Sequence, residues 1–387
     1  MPVDSSFLNT LLDRFRMLRE ESRVSRGQLE QRLILGPGWI ERFETGQTMP
    51  TLDMLLAMLA GINCSLNDLL TNLPTPTAAE IDRYIHSERK KDSLDIHFKY
   101  ANYDAIYTVP NARTREFERV MKILRDGLAK LERRPVDAEA VKTEAVTQAY
   151  LEAVRLWPDA NPSDIWYFVI YRAYCDPFNH PARFARLDLS QSWKRTGGWA
   201  LEQVLVRHYG DFLEDKGISL VIGSSEFKRH HLRTLQVKER LEADKIDLLL
   251  FGRRRAADVL FGAVHVKASF AERRTDDVPM SRALVEAGYV SPLCTMDCKS
   301  SPSARPFNKG ELGSLVKEGD RVNRRSAKRK DIEEDAYFSA CFSYNRNTAP
   351  TPASQKAKAN IYVCDFQDPD DAFSQFLVSA WKAFKRS

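Results

Sequence analysis

The stretch Asp247–Ser269, DLLLFGRRRAADVLFGAVHVKAS, decides the fold of this 387-residue chain. Two apolar runs of strand length flank an arginine-rich turn, which predicts an antiparallel hairpin. Asp247 opens the first run, and Lys267 closes the second. Because an antiparallel hairpin brings its free ends together, the pattern places a carboxylate beside an ammonium. Two explanations stay open: a surface hairpin with ordinary charges, or a catalytic site built around this pair.

The catalytic explanation has a definite chemistry. Cleavage of a phosphodiester needs an activated water, a neutralised charge and a stabilised pentavalent phosphorus. Mg²⁺ prefers carboxylate oxygens as ligands, and a lysine beside the metal can orient the water. Side chains alternate along a strand, so His265 and Lys267 share one face of the second strand. The hairpin therefore predicts a nuclease core in which Asp247 and Lys267 meet.

The segments around the hairpin predict a mixed core of helices and strands. A long helix ends at Gly217, the strand ISLVIG follows, and RTLQVKERLEADK is predicted as helix before the hairpin. After the hairpin, VPMSRALVEAG is predicted as a helix that begins near Pro279 and ends before Gly288. The strands VSPLCTMDCKS and NIYVCDF and a final helix complete an α+β fold with a mixed central sheet.

This order of elements, with VHVKASFAERRTDDVPMSRALVEAGY, resembles the PD-(D/E)xK nuclease fold. His265 replaces the acid that the family usually carries two residues before its lysine. One branch, the restriction endonucleases that read CCGG-centred sites, displaces this acid, and several members supply the carboxylate from a helix. The sequence looks like the BsaWI- and AgeI-like members of that branch over roughly residues 188–315.

The resemblance implies roles for several side chains. Glu202 and Asp247 would hold Mg²⁺, Lys267 would orient the attacking water, and Glu286 is the alternative displaced acid. Three of these residues also have an ordinary explanation. Glu202 would be a solvent-facing helix acid, Asp247 a charge at the start of a strand, and Lys267 a lysine that protects a sheet edge.

The segment AERRTDD after Lys267 predicts base recognition. Arginine binds guanine O6 and N7 through two hydrogen bonds, and a carboxylate accepts one from cytosine N4. The resemblance assigns this task to Glu272 and Arg273, with help from Arg274 or Asp277; a salt-bridged loop is the alternative. Because CCGG is self-complementary, the resemblance also implies a homodimer or a higher homo-oligomer on double-stranded DNA.

Residues 1–74 predict a separate DNA-binding domain of five short helices. Residues 8–71 resemble the Cro/repressor-type helix-turn-helix family through the spacing Glu44-x-Gly46-x-x-x-Pro50. Two departures are Glu30, where the family usually has alanine, and the sequence Gly-Pro-Gly at 36–38. By position, the side chains expected to face DNA are Arg26, Gln28, Trp39 and Arg42. The alternative is a module that binds protein or only dimerises.

Composition narrows the remaining choices. The net charge of +5 permits nucleic-acid binding without requiring it, and no apolar run approaches the length of a membrane span. The six cysteines are scattered without CxxC pairs, and the first residues lack the apolar core of a secretion signal. We therefore expect a reduced, cytoplasmic protein with no membrane partner.

Taken together, these patterns predict three regions: a helix-turn-helix domain (1–74), a helical linker or dimerisation region (81–187) and a catalytic domain (188–387). The predicted function is that of a type II restriction endonuclease that cleaves a CCGG-containing site with Mg²⁺. Two alternatives stay open. One is a transcription regulator with an inactive nuclease fold, and the other is a nuclease that acts on modified DNA.

Overall fold

The protein is described here as a computed structural model. The structure describes residues 5–48, 50–71, 73, 85–100, 103–133, 135–182, 184–185, 187–235, 237, 242–255, 257–269, 274–298, 308–313, 317–318, 321–322 and 326–386. The chain divides into two compact units, Met1–Arg83 and Tyr84–Ser387.

The first unit contains the five short helices that the sequence predicts. They are α1 (Ser5–Glu21), α2 (Arg26–Arg32), α3 (Trp39–Glu44), α4 (Leu52–Gly61) and α5 (Leu66–Leu70). Ser25 caps α2 by accepting a hydrogen bond from the backbone N–H of Gln28. Gly46 follows α3 with a φ of +73°, a left-handed conformation that favours glycine. The helices enclose their own apolar core, which includes Phe15, Leu29 and Ile40.

The second unit begins with a three-stranded antiparallel sheet that the sequence patterns did not predict. Its strands are β1 (Ile85–Arg89), β2 (Ser93–Tyr100) and β3 (Tyr103–Pro110). Helices follow, as predicted for this middle region: α6 (Thr114–Ala129), α7 (Ala138–Leu156), α8 (Pro162–Asp164), a π-helical turn (Ile165–Ile170) and α9 (Tyr171–Cys175). Side chains from this sheet, these helices and the central sheet share one apolar core.

The rest of the second unit carries the central six-stranded sheet. In chain order the elements are α10 (Leu189–Asp215), β4 (Ile218–Val221), α11 (Ser225–Leu232), β5 (Leu248–Arg254), β6 (Ala257–Lys267), α12 (Arg274–Glu286), β7 (Leu293–Thr295), β8 (Lys317–Glu318), β9 (Arg321–Val322), α13 (Ala327–Glu333), β10 (Cys341–Ser343), β11 (Ile361–Val363) and α14 (Ala372–Phe384). The strand order is β11-β10-β7-β6-β5-β4, and β8 and β9 pair separately. The fold class is therefore α+β, as predicted.

The central sheet has an antiparallel half and a parallel half. Strands β4, β5 and β6 pair antiparallel, whereas β7, β10 and β11 continue from β6 in parallel. Leu248 and Val264 lie in the large core shared with α7 and α10, while Leu249 and Ala263 lie in a smaller core on the opposite side. Helices therefore cover both faces, and the ends of the strands are left to carry a site.

Three local predictions were wrong. A helix, α11, lies before RTLQVKERLEADK, and the described part of that stretch has only a short 3₁₀ turn at Ala243–Lys245. Pro279 lies inside α12 rather than near its start, because α12 begins at Arg274. Strand β10 was not predicted, because three consecutive buried residues leave no alternating pattern.

Among the helices of the described part of the chain, none combines the length and the apolar character that crossing a membrane requires.

Candidate active site

Asp247 and Lys267 meet at one end of the central sheet. Asp247 lies directly before β5, and Lys267 is the last residue of β6. The Lys267 Nζ atom lies 2.6 Å from Asp247 Oδ2, and the backbone N–H of Val266 donates to the same oxygen at 2.6 Å. Both side chains are largely shielded from water, with 11% of Lys267 and 13% of Asp247 exposed. The hairpin thus forms the carboxylate–ammonium pair that its sequence predicts.

Asp277 brings a second carboxylate to the same lysine from helix α12. Its Oδ1 atom lies 3.7 Å from Lys267 Nζ and 3.9 Å from His265 Nδ1. Asp277 is buried, and its Oδ2 atom has no hydrogen-bond partner among the described residues. The sequence interpretation gave Asp277 to base recognition, but the structure places it at the lysine. The sequence feature that could have indicated this placement is the position of Asp277 on the following helix, ten residues after Lys267.

Glu202 supplies a third acid from helix α10. The residue is only 8% exposed, and burial together with the negative charge of Asp247 raises its pKa to about 8. The positive charges of Lys228 and Lys267 act in the opposite direction. Glu202 therefore lies within electrostatic reach of the pair and holds a proton near neutral pH in the metal-free protein. Lys228, which donates to Ile246 O at 2.7 Å, was not predicted as part of this environment.

We expect Glu202 to make the metal-free protein less stable as the pH rises. Its pKa is 4.5 in an ordinary setting and about 8 in the fold, so the unfolded chain releases the proton first. Stability is therefore lost as the pH climbs from about 4.5 through about 8. Glu202→Gln removes this loss. The melting temperature of the variant minus that of the wild type, measured with EDTA, should grow between about pH 5 and pH 8 and then level. A constant difference would contradict the raised pKa.

Glu286, the alternative acid, lies elsewhere. It is the last residue of α12, about half of its side chain is exposed, and its carboxylate accepts from Arg282 Nε at 2.6 Å. Asp297, which together with Lys299 forms a D-x-K sequence in TMDCKS, is fully buried after β7. It accepts hydrogen bonds from the Glu311 backbone and the Thr348 hydroxyl, and burial raises its pKa to about 7. These contacts give Asp297 a structural role.

The donor set suits a hard divalent cation. Asp247, Asp277 and Glu202 offer carboxylate oxygens, the ligands that Mg²⁺ prefers. The unpartnered Oδ2 of Asp277 and the raised pKa of Glu202 both show a place where negative charge lacks a counter-charge. Within the described residues, no group of three or more acids, histidines or cysteines is arranged so that it could hold a metal ion by itself. An open site is what Mg²⁺ uses when one or two carboxylates bind it together with phosphate oxygens and water.

The residues predicted for base recognition are only partly described. Glu272 and Arg273 lie outside the described residues, and Arg274 is the first residue of α12. Their predicted contacts with G·C pairs therefore stay predictions.

Three of the four residues predicted to face DNA in the helix-turn-helix domain make internal contacts. Arg26 Nε lies 2.8 Å from Glu44 Oε2, and the Gln28 side chain accepts from the Ser25 backbone at 2.8 Å. Trp39 is half-buried and stacks on Phe43 with ring centroids 6.2 Å apart. Arg42, the fourth, is exposed on α3. Of the four, Arg42 is the one whose side chain remains most available to DNA.

Glu30 explains one departure from the helix-turn-helix pattern. It is buried, and its Oε1 atom accepts a hydrogen bond from the backbone N–H of Ile40 at 2.9 Å. Gly38 at the start of α3 has no side chain to cap the helix. The carboxylate of Glu30 therefore satisfies an N–H group that a helix start leaves without a partner.

A buried ion pair joins α1 to α3 in this domain. Arg19 Nε lies 2.6 Å from Glu44 Oε1, with 7% and 1% of the two side chains exposed. Glu44→Gln leaves the Arg19 guanidinium with only the exposed Glu20, 3.2 Å away, as a charge partner, so we expect a loss of about 3 kcal/mol. Glu41→Gln is the control, because Glu41 is 61% exposed and lies 3.5 Å from Arg26. Urea titration of the full chain should separate the two variants, and equal stabilities would contradict the prediction.

Comparisons with known proteins agree with both units. The family model "Helix-turn-helix domain" matches residues 10–70. The type II restriction enzyme AgeI of Thalassovita gelatinovora is 38% identical over 244 residues, which cover 61% of this chain and 83% of that protein.

Solved structures give the same relationship. The structure titled as the specific AgeI–DNA complex is 32% identical, with a TM-score of 0.62, over 74% of this chain and 99% of the other. The structure titled as the pre-specific BsaWI–DNA complex is 16% identical, with a TM-score of 0.34, over 70% of this chain and 94% of the other. The chain carries a helix-turn-helix domain and belongs to the family of AgeI-like type II restriction endonucleases, which are site-specific deoxyribonucleases.

Proposed function

We propose that the protein cleaves both strands of a palindromic DNA site that contains CCGG, by phosphodiester hydrolysis that depends on Mg²⁺. One observation carries the proposal: Lys267 Nζ lies 2.6 Å from Asp247 and 3.7 Å from Asp277 at one end of the sheet. The AgeI-like relatives support the DNA substrate, and the displaced acid supports the CCGG-reading branch.

The chain's own residues divide the chemistry. One or two of the carboxylates of Asp247, Asp277 and Glu202 would hold the cation together with phosphate oxygens and water, and the cation would supply charge neutralisation and a more acidic bound water. Lys267 donates from the position between the two aspartates, where it orients the attacking water and offsets charge that develops on the phosphate. The low exposure of Asp247 and Lys267 strengthens these electrostatic effects, because little water screens them.

Target recognition is proposed for the segment after Lys267. Glu272 and Arg273, with Arg274, would contact the G·C pairs beside the cut, because their side chains match guanine and cytosine edges. We do not include Asp277 among the residues proposed for base recognition, because it lies beside Lys267. A self-complementary target is best served by two copies of the chain, one for each strand, so we propose a homodimer. The helix-turn-helix domain would bind an operator or add a contact to the target.

Digestion of unmethylated phage DNA by the purified full-length protein tests the proposal. We expect discrete fragments with Mg²⁺ and none with EDTA, and sequencing of the fragment ends should reveal CCGG. Ends at a site without CCGG would overturn the specificity. Cleavage of methylated DNA alone would favour a modification-dependent nuclease. DNA binding without cleavage in any divalent cation would favour a regulator, an alternative that His265 in the usual acid position keeps open.

A further inference from the structure

We propose that a basic cavity in the three-stranded region binds the phosphate backbone of DNA that flanks the target. The cavity has a volume of about 570 Å³ and lies between the β1–β2 turn and the segment that joins β3 to α6. Its charged lining residues are Arg89, Lys90, Lys91, Asp92, Arg113 and Arg115. The inference rests on the proposed nuclease function, because it takes DNA as the ligand.

The cavity carries more positive charge than its own surroundings neutralise. Lys90 Nζ lies 2.7 Å from Glu88 Oε1, so this lysine has a partner. The other four cations form no ion pair with any residue that the structure describes, and all four are exposed. Lys90 also lies 3.8 Å from Asp95 Oδ2, so the neighbouring carboxylates pair with this lysine and leave the other four cations without a counter-charge among the described residues. Such a concentration of guanidinium and ammonium groups suits phosphate oxygens, which accept charge-assisted hydrogen bonds.

Asn111 holds the two walls of the cavity together. Its backbone N–H donates to Asp92 O at 3.0 Å, across the cavity from the β1–β2 turn. Its side chain donates to Asp159 Oδ2 at 2.9 Å, and its φ of +57° places it in the left-handed region that asparagine tolerates. The cations therefore project from a braced frame, which lowers the entropy lost when an anion binds.

The cavity lies toward the end of the central sheet that carries Lys267. Strands β7 and β10 run parallel to β6, so their last residues share this end. Thr295, paired with Lys267, accepts from the backbone N–H of Tyr344 at 2.8 Å. Tyr344 O in turn accepts from the N–H of Ser163 at 3.1 Å. Strand pairing and backbone hydrogen bonds therefore lead from the lysine to α8 and the loop that precedes it.

That loop also holds the cavity. Asp159, which binds Asn111, lies four residues before Ser163. Neighbouring strands are about 4.8 Å apart, so β10, whose end reaches this loop through Tyr344, lies roughly 10 Å from β6. Duplex DNA carries a phosphate about every 3.4 Å on each strand, so DNA bound at Lys267 would pass the end of β10 within a few nucleotides. The position suits contacts outside a short palindrome rather than base recognition within it.

Salt dependence of DNA binding tests the inference. The variant replaces four cations together: Arg89→Ala, Lys91→Ala, Arg113→Ala and Arg115→Ala. The matched control removes four exposed cations from the hairpin tip, α14 and the segment after α14: Arg254→Ala, Arg255→Ala, Lys382→Ala and Arg386→Ala. The full-length proteins are titrated with labelled duplexes in EDTA, so that binding is measured without cleavage. One duplex extends about 12 base pairs, roughly 40 Å, on each side of the target, and the other extends about 3 base pairs.

We expect the cavity variant to bind the long duplex with a shallower salt dependence. Each lost phosphate contact lowers the slope of log K against log salt concentration by about 0.9, so a reduction of about 2–4 is expected. The short duplex should bind both variants alike. Slopes for the long duplex that equal those of the control would overturn the inference. Cleavage of the short duplex by the wild type tests the nuclease proposal separately, because the slopes do not depend on cleavage.

Discussion

We expect Asp247→Asn to lower the rate of DNA cleavage by about 10³-fold or more. A cation's charge stabilisation contributes several kcal/mol, and each 1.36 kcal/mol corresponds to about tenfold in rate. Asparagine keeps the shape and can still accept the Val266 N–H bond, but it loses the charge that faces Lys267 and the cation. Single-turnover cleavage of a labelled duplex at saturating protein measures this loss without interference from product release.

The control for this prediction lies on the same hairpin. Asp258 on β6 is 61% exposed, and its carboxylate lies 3.9 Å from Arg253 near the turn. Asp258→Asn should cleave at the wild-type rate. The melting temperature of Asp247→Asn must also be recorded, since Lys267 is left buried without its nearest partner. A folded Asp247→Asn protein that cleaves normally would remove this carboxylate from the site.

Asp277→Asn should reduce cleavage by about 10–100-fold and raise the Mg²⁺ concentration needed for half-maximal rate. The physical reason is its place beside Lys267, with one buried oxygen that no described group satisfies. Asparagine retains the size of the side chain but binds a hard cation less strongly than a carboxylate. Titration of the single-turnover rate with Mg²⁺ separates weaker cation binding from slower chemistry.

Glu286→Gln is the matched control on the same helix. Its carboxylate pairs with Arg282 and is about half exposed, so the substitution should leave both the rate and the Mg²⁺ requirement unchanged. The reverse result, with Glu286→Gln impaired and Asp277→Asn normal, would show that α12 presents a different face to the substrate.

The hairpin and its charged pair could be predicted because their information is local. Two apolar runs, a turn and two terminal charges lie within 23 residues, and the structure forms the contact at 2.6 Å. The five helices of the first unit were equally predictable, because caps and glycine stops mark their ends. In contrast, β10 has only three residues, all buried, and joins the sheet through neighbours far away in the chain.

The helix carboxylate that lies beside His265 could be identified only from the structure. His265 occupies the usual acid position, is fully buried and has no hydrogen-bond partner for either ring nitrogen among the described residues. Asp277 lies 3.9 Å from that imidazole, so a helix carboxylate lies beside the position that the family's strand acid would take. Spacing ranked Glu202 ahead of Glu286 and left Asp277 among the residues for base recognition. In the structure Asp277 lies beside Lys267, whereas Glu286 at the end of the same helix pairs with Arg282, and no local pattern encodes which turn of α12 faces the lysine.

The proton on Glu202 couples the loading of the site to the acidity of its surroundings. With a pKa of about 8, this carboxyl is mostly neutral at neutral pH and must ionise before it can serve as a cation ligand. Where Glu202 holds the cation, as proposed, binding would release about one proton, and the apparent affinity would rise by up to about tenfold per pH unit below pH 8. The proposed DNA cleavage would therefore depend on the hydrogen-ion concentration as well as on the concentration of the metal ion.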